Sequence, residues 1–215
     1  MSRIAFVGGT GPLGRGLGLR LALSGHDIVL GSRAAGKAEA AAGEAGAPMQ
    51  GADNATACRD ADVVFITVPF EGQAAALPAL ADVLDGRIVV STVVPMGFDA
   101  RGPRPLAVDE GSAAEQAAAL LPGARMVAGF QWVPAPKLLK PDVAVEMDVP
   151  LLADDEDAAQ VVATLCNDIK SLNGFYAGPL RLASTVEGLT PLLISINKRY
   201  KAHTGVRFAG LPPTG

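Results

Sequence analysis

A doubly wound parallel α/β sheet of the Rossmann type, with a small C-terminal α/β lobe, is the fold this sequence predicts. Three observations predict it. Five short apolar runs, at residues 4–7, 28–30, 63–68, 88–90 and 126–128, are separated by helix-like stretches. A glycine-rich turn follows the first run directly. After Pro134 the chain turns polar and proline-punctuated, which divides a domain of residues 1–135 from a smaller unit of residues 136–215. Strands alternating with helices require right-handed crossovers, and strands of about 4–8 residues buried on both faces lose the polar alternation of a half-exposed sheet.

The elements follow in order. Ile4-Ala5-Phe6-Val7 leads into a helical pattern over 13–23, and Ile28-Val29-Leu30 into another over 34–45. Asn54 and a short helical stretch at 55–59 precede the third run; a helical pattern over 71–84 precedes the fourth, and one over 112–121 the fifth. Pro136, Lys137, Lys140, Pro141 and Asp142 then introduce Val143-Ala144-Val145, a crossover into the second unit. The acidic run Asp154-Asp155-Glu156-Asp157 stands before a helical 158–169 and reads as helix punctuation, because negative charge near a helix N-terminus is stabilising and EF-hand spacing is absent. From 179 to about 203 a long helical pattern, with a kink expected at Pro191, places Leu189, Leu192, Leu193 and Ile196 on one stripe that is either core or subunit interface.

Composition narrows the chemistry. With 215 residues, 49% hydrophobic and 19% charged, the chain can build one continuous core, and disorder over most of its length is excluded. Eighteen basic against 22 acidic residues give a net charge of -4 with no dense basic run, which argues for small-molecule partners and against nucleic acid. Cys58, Cys166, His26 and His203 lie too far apart for a metal motif, so no protein-held metal is expected. The two thiols read as small buried hydrophobes in a reducing compartment. No apolar run is long enough to span a membrane and no signal pattern precedes the first strand, so a cytoplasmic protein without membrane contact is expected.

Gly9-Thr10-Gly11-Pro12-Leu13-Gly14, preceded by Gly8, reads G-x-G-x-x-G between a strand and a helix, the context that makes this motif a dinucleotide signature. Gly9 permits the tight turn, Gly11 lets backbone N–H groups approach a pyrophosphate, and Gly14 lets the helix pack closely. Where an NAD-binding domain carries an acid after its second strand, this chain has Ser32, Arg33 and, a turn later, Lys37. A hydroxyl and two cations suit the additional phosphate of NADP. Open α/β sheets bind ligands beyond the carboxyl ends of their strands. Thr67-Val68-Pro69 and Val94-Pro95-Met96 should therefore line the nicotinamide side of the cleft.

Together with Val133-Pro134-Ala135, Glu187-Gly188-Leu189-Thr190-Pro191-Leu192 and Gly205-Val206-Arg207-Phe208, these segments resemble the F420-dependent NADP oxidoreductase family over residues 1 to about 208. A more distant likeness extends to the cytosolic domains of STEAP-type metalloreductases. The resemblance implies a homodimeric oxidoreductase passing hydride between NADP and coenzyme F420, an 8-hydroxy-5-deazaflavin that acts as co-substrate. It also implies that Gln131, Trp132, Val133, Pro134 and Phe208 bind the second substrate. One departure stands out: where archaeal members carry His-Thr-Ile-Pro-Ala, this chain has Gln131-Trp132-Val133-Pro134-Ala135. Hydride transfer by positioning needs no catalytic side chain, and no Ser-His-Asp set or activated cysteine is evident. Two other readings stay open at this point: an NADP-dependent dehydrogenase or reductase of a pterin, imine or oxo substrate, and a non-catalytic NADPH-sensing module.

Overall fold

The computed structural model describes residues 1–211. Its strands are β1 Arg3–Val7, β2 Asp27–Ser32, β3 Gln50–Asp53, β4 Val63–Ile66, β5 Ile88–Ser91, β6 Met96–Asp99, β7 Gly102–Pro105, β8 Arg125–Ala128, β9 Met147–Leu152 and β10 Leu172–Gly178. The helices are α1 Pro12–Leu23, α2 Ala35–Gly43, α3 Asn54–Cys58, α4 Phe70–Ala76, α5 Ala81–Leu84, α6 Ala113–Leu120, α7 Ala135–Leu138, α8 Glu156–Asn167 and α9 Ala183–Tyr200.

Eight strands form one sheet in the order β10-β9-β8-β5-β4-β1-β2-β3, while β6 and β7 make a separate hairpin. The order runs outward from β1 in both directions, so the chain reverses between β1 and β4, the switch point at which such sheets bind ligands. Parallel register sets Phe6 beside both Leu30 and Phe65, and Val90 beside Phe65 and Val127. These strands are buried on both faces, as their unbroken apolar runs require. Phe6 stacks on Phe65 at 5.1 Å, and Phe130 meets Phe65 edge-on at 5.4 Å. Each such pair adds about 0.5–1.5 kcal/mol beyond the area it buries.

The C-terminal unit joins this sheet in a particular way. Among the described residues its only antiparallel pair within the large sheet, Ala128 with Leu152, links the carboxyl ends of β8 and β9. β9 therefore begins beyond the carboxyl edge of the sheet and descends to it, with β10 parallel alongside and α8 packed on both. The small α/β unit stands over the edge where a ligand would bind.

Asp155 accepts the Ala158 N–H at 3.0 Å as the N-cap of α8, with Glu156 and Asp157 in the first turn, so the acidic run does punctuate a helix. Elsewhere the elements differ from expectation. The helix expected over 71–84 is divided into α4, a 3-10 turn at Pro78–Leu80 and α5, because Pro78 has no N–H to continue the ladder. β3, the β6–β7 hairpin and β10 are strands the apolar pattern did not announce, and the strand after the crossover starts at Met147 rather than at Val143. β3 reads Gln-Gly-Ala-Asp, with no β-branched or aromatic residue; it pairs because Gly51 lets α2 lie directly against it.

Candidate active site

The glycine turn is built by close approach. Gly8 has φ +71, and a Cβ there would come within 2.6 Å of Val68 Cγ1. Gly9 donates its N–H to Gly31 O at 2.8 Å, and a Cβ on Gly14 would meet Gly9 Cα at 2.7 Å, so α1 rests on the turn itself. Gly11 differs: its nearest neighbour would be 3.9 Å away, leaving open space in front of the helix. Gly11 is also the N-cap of α1, without a side-chain cap, with Pro12 at the first helical position and no acid in the first turn. An acid-free, uncapped helix N-terminus facing open space is suited to a phosphate. Thr10 lies in the turn and Leu13 in the first turn of α1, both half-buried. Asn54, which sequence reasoning did not assign to the site, accepts the Gly8 N–H at 3.2 Å and holds the turn in place.

Ser32 ends β2 and is buried, its Oγ 3.4 Å from the Ala34 N–H that donates to it. Arg33 and Lys37 are exposed, and among the described residues neither forms an ion pair. The acid in register with Ser32 is Asp53, but its carboxylate accepts the Thr56 N–H at 3.0 Å as the N-cap of α3, and hydrogen bonds from the Thr56 side chain and then its backbone lower its pKa. Two exposed cations thus follow a buried hydroxyl in the chain, while the carboxylate in register with it is occupied.

Beyond β4, Thr67 Oγ1 donates to Val7 O at 3.0 Å, tying the carboxyl ends of β4 and β1 together. Val68 is half-buried against Gly8, and Pro69 is exposed. Beyond β5, Val94 is half-buried, Pro95 buried and Met96 opens the β6–β7 hairpin. These residues lie along the carboxyl edge.

After β8 the chain makes a constrained turn. Phe130 is buried with φ 70, a left-handed conformation costly for a residue with a Cβ. It turns Gln131 inward, where Nε2 donates to Ser91 O at 3.3 Å and the backbone carbonyl accepts from Thr190 Oγ1 at 3.3 Å. Gln131 Oε1 is buried with no partner among the described residues. Trp132 is 6% exposed, and its indole N–H donates to Asp148 O at 3.1 Å. It separates two cavities. The smaller, about 230 Å³, brings Gln131 to Pro134 together with Thr190, Leu193, Asn197 and His203. The larger, about 500 Å³, lies across Trp132 and is walled by Leu152, Phe175, Tyr176, Leu189 and Phe208. Four of the five residues expected to bind the second substrate therefore share one cavity, while Phe208 sits in the other, edge-on to Phe175 at 5.9 Å. Thr190 stood in the Glu187–Leu192 segment, but only the fold shows that it faces Gln131.

Two buried groups brace this region. Arg20 of α1 donates to the carbonyls of Lys137, Leu138, Lys140 and Val143 at 2.9, 2.8, 2.5 and 2.7 Å, clamping α7 and the chain after it. Asp148 accepts Asn173 Nδ2 at 2.9 Å and the Phe208 N–H at 2.6 Å, drawing the C-terminal segment onto β9. Cys58 and Cys166 are buried, and burial pushes the Cys58 thiol up to about 12, which leaves it inert near neutral pH.

Residues 3–95 match the family model described as NADP oxidoreductase, coenzyme F420-dependent. The F420-dependent NADP reductase of Methanothermobacter thermautotrophicus is 36% identical over 98% of this chain and 96% of its own length. That of Methanocaldococcus jannaschii is 36% identical over 97% of this chain and 99% of its own. A solved structure from Arthrobacter sp. FB24, classed as a candidate F420-dependent NADP reductase, superposes with a TM-score of 0.84 at 25% identity, covering 97% of this chain and all of that one. With near-complete coverage by such relatives, and the glycine turn and C-terminal unit arranged as described, the chain belongs to the F420-dependent NADP oxidoreductase family.

Proposed function

We propose that this protein catalyses NADPH + F420 + H⁺ ⇌ NADP⁺ + reduced F420, a hydride passing between the two rings. The observation that carries the reading is the open, uncapped N-terminus of α1 following the first strand, in a chain that also has two exposed cations after the second strand and a cavity lined by Gln131 to Pro134. The names of full-length relatives favour F420 over a pterin, imine or oxo substrate and over a non-catalytic NADPH sensor. The bound nucleotide and deazaflavin supply the redox chemistry. Gly9 to Gly14 would hold the pyrophosphate, and Ser32, Arg33 and Lys37 the ribose phosphate. Thr67 to Pro69 and Val94 to Met96 would keep water from the nicotinamide, while Gln131 to Pro134 orient the acceptor ring. The protein's task is to hold the reacting carbons about 3–3.5 Å apart in a dry site. In this division residues 1–135 bind the nucleotide, and residues 136–215 serve the second substrate and dimerisation. Mixing the protein with NADPH and oxidised F420 should bleach the visible absorbance of the deazaflavin as NADPH is consumed; tight NADPH binding with no transfer would overturn the reading.

The cation pair gives a sharper test. Arg33→Ala should weaken NADPH about 10- to 100-fold while leaving NADH nearly unchanged, because a charge-assisted phosphate contact is worth about 1.5–3 kcal/mol. Equal weakening of both nucleotides in a binding titration would remove the assignment.

A homodimer is part of the same proposal. Leu193 is buried and Leu189 and Ile196 are half-buried, but Leu192 on the same helix is 55% exposed, and Phe98 at the tip of the β6–β7 hairpin is 67% exposed. Apolar side chains left in water support association. Sedimentation should give a dimer at micromolar concentration, and a monomer there decides against it. No helix among the described residues is long and apolar enough to cross a membrane. That fact and two free, buried cysteines support a cytoplasmic location.

A further inference from the structure

Glu187 lies on α9 with only 1% of its surface exposed, and its carboxylate reaches a different helix. It accepts the Ala113 N–H at 2.9 Å and the Ala114 N–H at 3.0 Å, the first two amides of α6. α6 already has its own cap: Ser112 Oγ accepts the Glu115 N–H at 3.0 Å and donates to the Glu115 carboxylate at 2.8 Å. Glu187 takes the amides that this cap leaves over, and in doing so fixes the height of α9. One turn further along the same face, Thr190 donates to Gln131 O, and Leu193 and Asn197 continue that side into the smaller cavity. Val186 and Leu189 wall the larger one. α6 in turn leads into β8 and hence into the turn that carries Gln131.

We propose that Glu187 is a positioning residue for the second substrate: by holding α9 to the first turn of α6 it fixes the Thr190–Gln131 link and so the shape of the smaller cavity. The kinetic part rests on the reading of that cavity as the acceptor's place. An ionised carboxylate accepts both amides, whereas a protonated acid or a carboxamide offers one good acceptor and leaves the other amide unpaired. Burial raises the Glu187 pKa to about 7, the two amide bonds oppose that shift, and Glu115 of α6 adds to it by repulsion. The other groups around it do not compensate. Gln73 of α4, buried against α6, is neutral; Arg104 of β7 faces Asp99 at 3.7 Å; Arg181, just before α9, is exposed. The hold on α6 should therefore weaken as pH rises through about 7, because the carboxyl ionises more easily once released from burial. The sign for stability is the same: a raised carboxyl pKa contributes stability that is full below the unfolded value and is lost as pH rises through the folded one.

Steady-state NADPH–F420 kinetics at several pH values on both sides of neutrality test the proposal. The KM for F420 should rise several-fold as pH rises, while the KM for NADPH stays flat. Glu187→Gln, which cannot ionise, should make the F420 KM independent of pH. Should that variant not fold, hydrogen exchange on the wild-type chain decides: protection of the Ala113 and Ala114 amides should fall several-fold over the same range. Matching KM profiles in the two proteins, or protection of those amides that does not change with pH, would overturn the proposal. If F420 is not reduced at all while protection still responds, the proposed reaction fails and the α9–α6 hold stands.

Discussion

Trp132→Ala should destabilise the protein by about 3–5 kcal/mol, the cost of truncating a buried aromatic, and should change acceptor kinetics as well. The indole fills the wall between cavities of about 500 and 230 Å³, so removing it merges them and leaves the Asp148 carbonyl without its donor. The resemblance implies that this residue binds the second substrate; at 6% exposure it is also part of the packing. Melting temperature and steady-state kinetics, measured side by side, separate the contributions. Trp132→Phe keeps most of the volume and loses only the N–H bond. It should cost about 1–3 kcal/mol, the penalty of an unpaired buried acceptor, and should largely preserve the acceptor KM. An alanine variant that melts like the wild type would show that Trp132 is not part of the packing.

Arg20→Met should cost a similar amount, about 3–5 kcal/mol, because hydrogen bonds to a charged donor are individually strong and losing one side of a buried polar cluster strands the other. Four carbonyls from residues 137–143 converge on this guanidinium, so its loss frees the chain that follows the Gln131–Pro134 turn. Arg20→Lys should rescue little. A lysine offers three donors from one point where the planar fork reaches four separate acceptors. The expected kinetic signature is a raised KM for the deazaflavin with NADPH affinity nearly unchanged, since the open end of α1 lies about two turns from Arg20. A variant with unaltered melting temperature and kinetics would refute the clamp.

Much of the fold was legible because its signals are local. The runs at 4–7, 28–30, 63–68, 88–90 and 126–128 each lie in the centre of the sheet, where burial on both faces leaves an unmistakable apolar string. β3 and β10 lie at the two edges and were missed, since an edge strand needs fewer apolar residues and borrows its order from a neighbour. The β6–β7 hairpin turns at Gly102 with φ +116, but its strands carry Pro103 and Pro105 and read as loop. The long helix ending near 200 was visible in its period; which of its faces is covered was not.

By itself the sequence determined the glycine turn between strand and helix, the two cations after the second strand, the acid-capped start of α8 and the order of alternating elements. Each is specified by residues within a turn or two of one another, where steric and hydrogen-bonding preferences act without help. Only the tertiary structure decided that β9 begins beyond the carboxyl edge, that Trp132 divides two cavities, that Arg20 gathers carbonyls about 120 positions away and that Glu187 holds a helix 73 positions before it. The physical reason is the separation itself: loop-closure entropy makes such contacts conditional on the whole sheet, so no local preference encodes them. A buried charge is stable only where the assembled fold supplies its partners.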